Sequence, residues 1–145
     1  MNAFSRRAGL PLSVALIIAV CTFGAYSSAA VAAGVKVTLT GDQEVPPVKS
    51  AGSGSGTLTI GADKSVSGSV TTTGIPGTMA HIHEAATGKN GPVIIPLTKN
   101  GDTYTVPAGS KLSDAQYASF QAGNLYVNVH TAANPGGELR AQLKP

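Results

Sequence analysis

Three histidines are the residues of this chain best suited to chemistry. His81 and His83 stand two apart in Met79-Ala80-His81-Ile82-His83-Glu84, and His130 closes the run Leu125-Tyr126-Val127-Asn128-Val129-His130. In an extended strand, residues two apart point to the same face, spaced roughly 6.6 Å along the chain. His81, His83 and Met79 then share one face, while Ala80 and Ile82 turn to the core. The same parity sets Tyr126, Asn128 and His130 on one face, with Leu125, Val127 and Val129 opposite. If the two strands are neighbours, three imidazoles can converge on one ion at about 2.0 Å. Neutral imidazoles suit copper or zinc. Copper is the leading expectation and zinc the alternative, and the Met79 thioether would add a soft ligand favouring Cu(I).

Other polar residues cluster around these runs. Glu84 could act as an acid–base group or accept from an imidazole N–H; strand alternation turns it to the opposite face, where it would be a solvated carboxylate. Asn128 and Thr131 could support the imidazoles by hydrogen bonds, or simply make cross-strand pairs. Arg140 and Glu138, beside the last turn, could guard a site, but a surface ion pair is the plainer reading. The histidines themselves have a plain alternative, in which they brace glycine-rich loops and hold no ion. No Ser/His/Asp order, phosphate loop or cysteine cluster is present to suggest hydrolysis, phosphoryl transfer or a structural zinc. Binding rather than catalysis is therefore the expectation.

The elements that must position these groups read as short strands. Val35 to Thr40 alternates apolar and polar. Glu44-Val45-Pro46-Pro47 lacks two backbone donors and belongs to an edge or loop. The glycine-rich run Ala51–Gly56 leads into Thr57-Leu58-Thr59-Ile60, and a turn at Gly61–Lys64 returns the chain as Val66–Thr73. Asn90-Gly91 favours positive φ. Val93-Ile94-Ile95-Pro96-Leu97 is β-branched, but its proline demotes it to an edge or bulged strand, and Asn100-Gly101 turns it into Thr103–Val106. The one predicted helix is Asp114–Ala122, with Ser113 as N-cap, Gln116 completing a capping box, a Leu112–Tyr117 staple and Gly123 as stop. Leu125–His130 and Glu138–Leu143 complete about eight strands. Their regular spacing, with Gly and Pro turns, predicts an all-β, antiparallel Greek-key sandwich or barrel, immunoglobulin-like or superoxide-dismutase-like, with one short helix.

The 145 residues divide into a leader and one domain. Arg6 and Arg7, the apolar run Leu10–Ala25 and the small-residue run ending Ala30-Val31-Ala32-Ala33 have the order of a secretory signal peptide over residues 1–33; the alternative is a retained membrane anchor. Ser5-Arg6-Arg7 is part of a twin-arginine pattern. Cleavage would leave residues 34–145, periplasmic or secreted and free of the membrane. That segment loses Cys21, the sole cysteine, so it forms no disulfide and stands on its core, its hydrogen bonds and a metal if one binds. It also loses Arg6 and Arg7, so the net charge of +3 falls to +1, which excludes a general preference for nucleic acid.

Several motifs together are similar to one family. Leu39-Thr40-Gly41-Asp42-Gln43-Glu44-Val45-Pro46-Pro47, Ala80-His81-Ile82-His83, Gly91-Pro92-Val93, Gly123–Thr131 and Asn134-Pro135-Gly136-Gly137-Glu138-Leu139-Arg140 resemble the CHRD domain, named from chordin, over essentially all of residues 34–145. The resemblance implies an all-β extracellular domain, and chordin's role as a binder of growth factors implies an extracellular or periplasmic protein partner as the alternative to a metal ion. A fainter resemblance is to copper-zinc superoxide dismutase, with its His-x-His strand, later strand histidine and Gly-Gly turn near an arginine. It implies His81, His83 and His130 as copper ligands. The bridging histidine, zinc loop and disulfide of that enzyme have no counterparts here, which argues against dismutase activity.

Overall fold

Alternation of apolar and polar residues along most strands produces two sheets, each with an apolar face, that close on one core. The computed structural model describes residues 34–145; the leader assigned to residues 1–33, with Arg6, Arg7 and Cys21, lies outside them. In chain order the elements are β1 (Gly34–Leu39), β2 (Ser53–Ile60), β3 (Val66–Thr73), β4 (Gly77–Glu84), β5 (Val93–Pro96), β6 (Thr98–Asn100), β7 (Thr103–Thr105), α1 (Asp114–Gln121), β8 (Leu125–Thr131) and β9 (Leu139–Leu143). One sheet has the order β1-β2-β3-β7-β6 and the other β5-β4-β8-β9. All pairings are antiparallel. The molecule is a sandwich, as the strand spacing predicts, and its sheets join along one side, where Thr40 and Arg140 exchange two backbone hydrogen bonds of 3.1 Å. Among the described residues, no helix is long and apolar enough to cross a membrane.

The core is aliphatic because the aromatics are few. Leu39, Leu58 and Val70 from the first sheet meet Ile82, Val127 and Leu139 from the second, all at 1% exposure or less. Helix α1 caps one end with Phe120. Its capping box forms as predicted: Gln116 donates its N–H to Ser113 Oγ (3.2 Å), and Ser113 donates to Gln116 Oε1 (2.9 Å). The run around Pro96 departs from a single edge strand. Proline has no N–H to extend the ladder, so β5 ends there and the chain crosses to the other sheet as β6.

β8 departs further from expectation, and this matters for the site. Sequence parity predicts one buried face, yet every residue from Leu125 to Thr131 is buried. β8 lies between β4 and β9, and its outward residues Tyr126, Asn128 and His130 sit beneath the connections that follow the short 3-10 turn Gly41–Gln43, strand β4 and strand β8. The second sheet thus has an apolar inner face and a covered polar outer face.

Leu139→Ala, which empties a fully buried site opposite Val129, is expected to lower the unfolding free energy by about 2–5 kcal/mol, read from the midpoint of urea denaturation.

Candidate metal centre

Register places the histidines. Across the β4–β8 ladder Met79 faces His130, His81 faces Asn128, and His83 faces Tyr126. Ala80 and Ile82 are buried in the core as predicted, and so are Val127 and Val129. The three imidazoles therefore gather on the outer face. His81 Nδ1 lies 3.0 Å from His130 Nε2, and one nitrogen from each of the three rings falls within 4.8 Å of the others. Two nitrogens bound to one ion at about 2.0 Å in tetrahedral geometry stand about 3.3 Å apart; the His81–His130 pair is close to that spacing, and the group could hold one ion if its wider spacings, up to 4.8 Å, close.

Backbone carbonyls fix two of the rings. His83 Nδ1 is 2.9 Å from the Gly91 carbonyl, and His130 Nδ1 is 2.9 Å from the Pro135 carbonyl. A carbonyl can only accept, so each Nδ1 carries the hydrogen and each Nε2 presents its lone pair. This is how an imidazole is oriented behind a metal. His83 Nε2 is buried and has no hydrogen-bond partner. Burial holds the pKa of His81 below the usual histidine value, with His130 and then His83 adding to the effect. Burial also lowers that of His83, against the Gly91 carbonyl, which favours its charged form. Both rings are therefore biased toward the neutral state that binds cations.

The carbonyls are held in place by the loops that carry them. Arg140 is 1% exposed and donates to the Lys89 carbonyl (2.9 Å), Asn90 Oδ1 (3.2 Å) and Gln142 Oε1 (3.3 Å). Gln142 donates to the Ala85 carbonyl. The loop after β4 is thereby pinned over the site, and the Gly91 N–H donates to the Tyr126 hydroxyl. A side chain at Gly91 would collide with the Glu84 carbonyl oxygen. Its glycine serves that close approach, while the positive φ predicted at Asn90-Gly91 falls on Gly88. Under this loop a stack forms: the Arg140 guanidinium lies 3.4 Å from the Tyr126 ring centre, and Tyr126 lies 4.7 Å from His83 with planes 8° apart. Tyr126 is thus held between Arg140 and His83, and its stacking fixes the plane of the His83 ring from one side.

Glu138 holds the second loop. Its carboxylate accepts from Thr131 Oγ1 (2.6 Å), Ser50 Oγ (2.7 Å) and Asn134 Nδ2 (3.1 Å). The surface ion pair expected between Arg140 and Glu138 is therefore corrected. Both are buried, each has its own partners, and neither faces the other, because the covered outer face provides polar groups for both. Glu84 is corrected as well. It accepts from Ser119 Oγ at 2.5 Å, joining β4 to α1, and is neither an imidazole partner nor a free carboxylate. Met79 is half exposed, opposite His130. Asn128 is buried at the centre of the group, and Thr131 acts through Glu138 rather than on a ring.

The family model for the CHRD domain matches residues 35–143. The chain belongs to the CHRD domain family. No curated protein and no solved structure matches it significantly. Membership accounts for the motifs that surround the site. The Gly-Asp-Gln-Glu segment of this CHRD domain brings Glu44, 4% exposed, against Asn128, and the Asn-Pro-Gly-Gly-Glu segment brings Pro135 and Glu138. Glu44, in an irregular segment beside two prolines, carries no site signal in the sequence beyond its place in that motif, and the carbonyls of Gly91 and Pro135 carry no side-chain signal at all.

The two buried glutamates respond to pH with opposite signs. Hydrogen bonds, from Thr131 first, hold the Glu138 pKa below its ordinary 4.5, so its stabilisation is complete above that value and is lost as pH falls through the folded pKa. Burial raises the pKa of Glu44, so its contribution is greatest at low pH and is lost as pH rises. Glu138→Gln is expected to flatten the fall in thermal midpoint as pH is taken below 4.5, measured by melts across that range.

Proposed function

We propose that this CHRD-domain protein is exported and binds a transition-metal ion through His81, His83 and His130, copper first and zinc second, for buffering, storage or delivery. The observation that carries the reading is the convergence of three imidazoles within 4.8 Å, two of them with Nδ1 held by backbone carbonyls so that Nε2 faces the centre. The charged, apolar and small-residue order of residues 1–33 supports export to the periplasm or beyond.

Access favours exchange over permanent burial. His81 is half-buried and Met79, its neighbour on the same face, is 50% exposed, so an incoming ion meets a thioether and an imidazole before the two deeper rings. A soft sulfur at the rim suits Cu(I) in transit. The reading in which the histidines only brace loops accounts for the carbonyl contacts of His83 and His130 but leaves the buried His83 Nε2 without a partner. The dismutase-like reading gains nothing from Arg140. Its guanidinium is buried against Tyr126 and the loop carbonyl, so it is not placed to guide an anion.

Titration with Cu(I), Cu(II) and Zn(II) is expected to show one ion per chain in the native protein and none in the variant with His81, His83 and His130 all changed to Ala. Binding that survives the triple change would overturn the site.

A further inference from the structure

We propose that Asn128 supplies a fourth donor to this site through Oδ1, with the Glu44 carboxylate on the side of the amide nitrogen, making the centre a three-nitrogen, one-oxygen site for a divalent cation. The proposal rests on the three-histidine reading above. Asn128 is at the middle of the block: opposite His81 across the ladder, two residues before His130, and diagonal to His83. No other residue on the outer face adjoins all three ligands in the register.

The chemistry of the buried atoms points the same way. Asn128 is 2% exposed, Glu44 4% and His83 7%. Asn128 Oδ1, Glu44 Oε1 and His83 Nε2 are all buried without a hydrogen-bond partner. With His83 Nδ1 donating to the Gly91 carbonyl, all three atoms are acceptors. Buried acceptors without donors are destabilising, and the Arg140 guanidinium is turned to Lys89, Asn90 and Gln142. Asn128 Nδ2 and Glu44 Oε1 converge on Gly137, whose φ of 130° and missing side chain leave room for both. That places the amide nitrogen on the Glu44 side and leaves Oδ1 for the histidine side. A cation between His83 Nε2 and Asn128 Oδ1 would satisfy both atoms at once. An amide oxygen is a hard donor, which favours Zn(II) or Cu(II) over Cu(I), and Glu44 adds a negative charge behind it.

The test compares Zn(II), Cu(II) and Cu(I) affinities in Asn128→Leu, Asn128→Asp, Glu44→Gln and the Asn128→Leu/Glu44→Gln double variant, with folding of each metal-free protein checked by circular dichroism. Asn128→Leu is expected to weaken the divalent ions by about 10–100-fold while leaving Cu(I) nearly unchanged. Asn128→Asp is expected to tighten them, because ligand charge sets affinity for such ions. Glu44→Gln should weaken them only when Asn128 is present, since it acts through the amide. Native divalent affinity in Asn128→Leu, with binding abolished in the triple histidine variant, would overturn the role of Asn128 and leave the three-histidine site standing. Binding retained in the triple variant would overturn the site itself. Should Asn128→Leu fail to fold, native affinity in both Asn128→Asp and Glu44→Gln would overturn the proposal.

Discussion

The pairing of β4 with β8 is the constraint on which the rest of the structure depends. Its register sets His81 against Asn128 and His83 against Tyr126, and a slip of one residue would turn every side chain on either strand to the opposite face. The register is secured from the inner side, where Ala80, Ile82, Val127 and Val129 are almost fully buried. Hydrophobic burial on one face of the sheet thus determines the geometry of polar chemistry on the other. The two functions share the same backbone without sharing a side chain.

The outer face obeys different physics. Its groups are polar and enclosed, so each must be hydrogen-bonded or be costly to keep. Most are satisfied by loop backbone: Gly91 and Pro135 carbonyls on the rings, Lys89 and Ala85 carbonyls on Arg140 and Gln142. The side chains hold the loops, and the loops orient the side chains. The exceptions on this face, at His83, Asn128 and Glu44, fall together beside the histidines.

Most of this fold could be read from residue order, because alternation, turn residues and caps are local signals. The hairpin at Asn100-Gly101, the box at Ser113 and Gln116, and the final strand all formed where expected. Parity was likewise sufficient to bring three histidines together. What parity could not show was coverage. Nothing in Tyr126-Val127-Asn128 reveals that three loops fold over it, so Arg140 and Glu138 read as surface charges when they are interior struts. Glu44 was hidden for a related reason: a residue in an irregular segment has no period, and its burial is decided by contacts distant in sequence.

The separation of the histidines along the chain has a consequence for time rather than space. His81 and His130 are 49 positions apart, with the crossover to β6, the return through β7 and the helix between them. Loop closure of that kind is slow relative to local hairpins. An intermediate with β4 formed but β8 undocked holds a two-histidine fragment, and an ion that needs all three rings would bind the finished fold and little else. Such an ion stabilises the native state in proportion to the logarithm of its concentration. Occupancy would then mark chains that have completed folding, and the centre would serve as a seal on the last step of assembly.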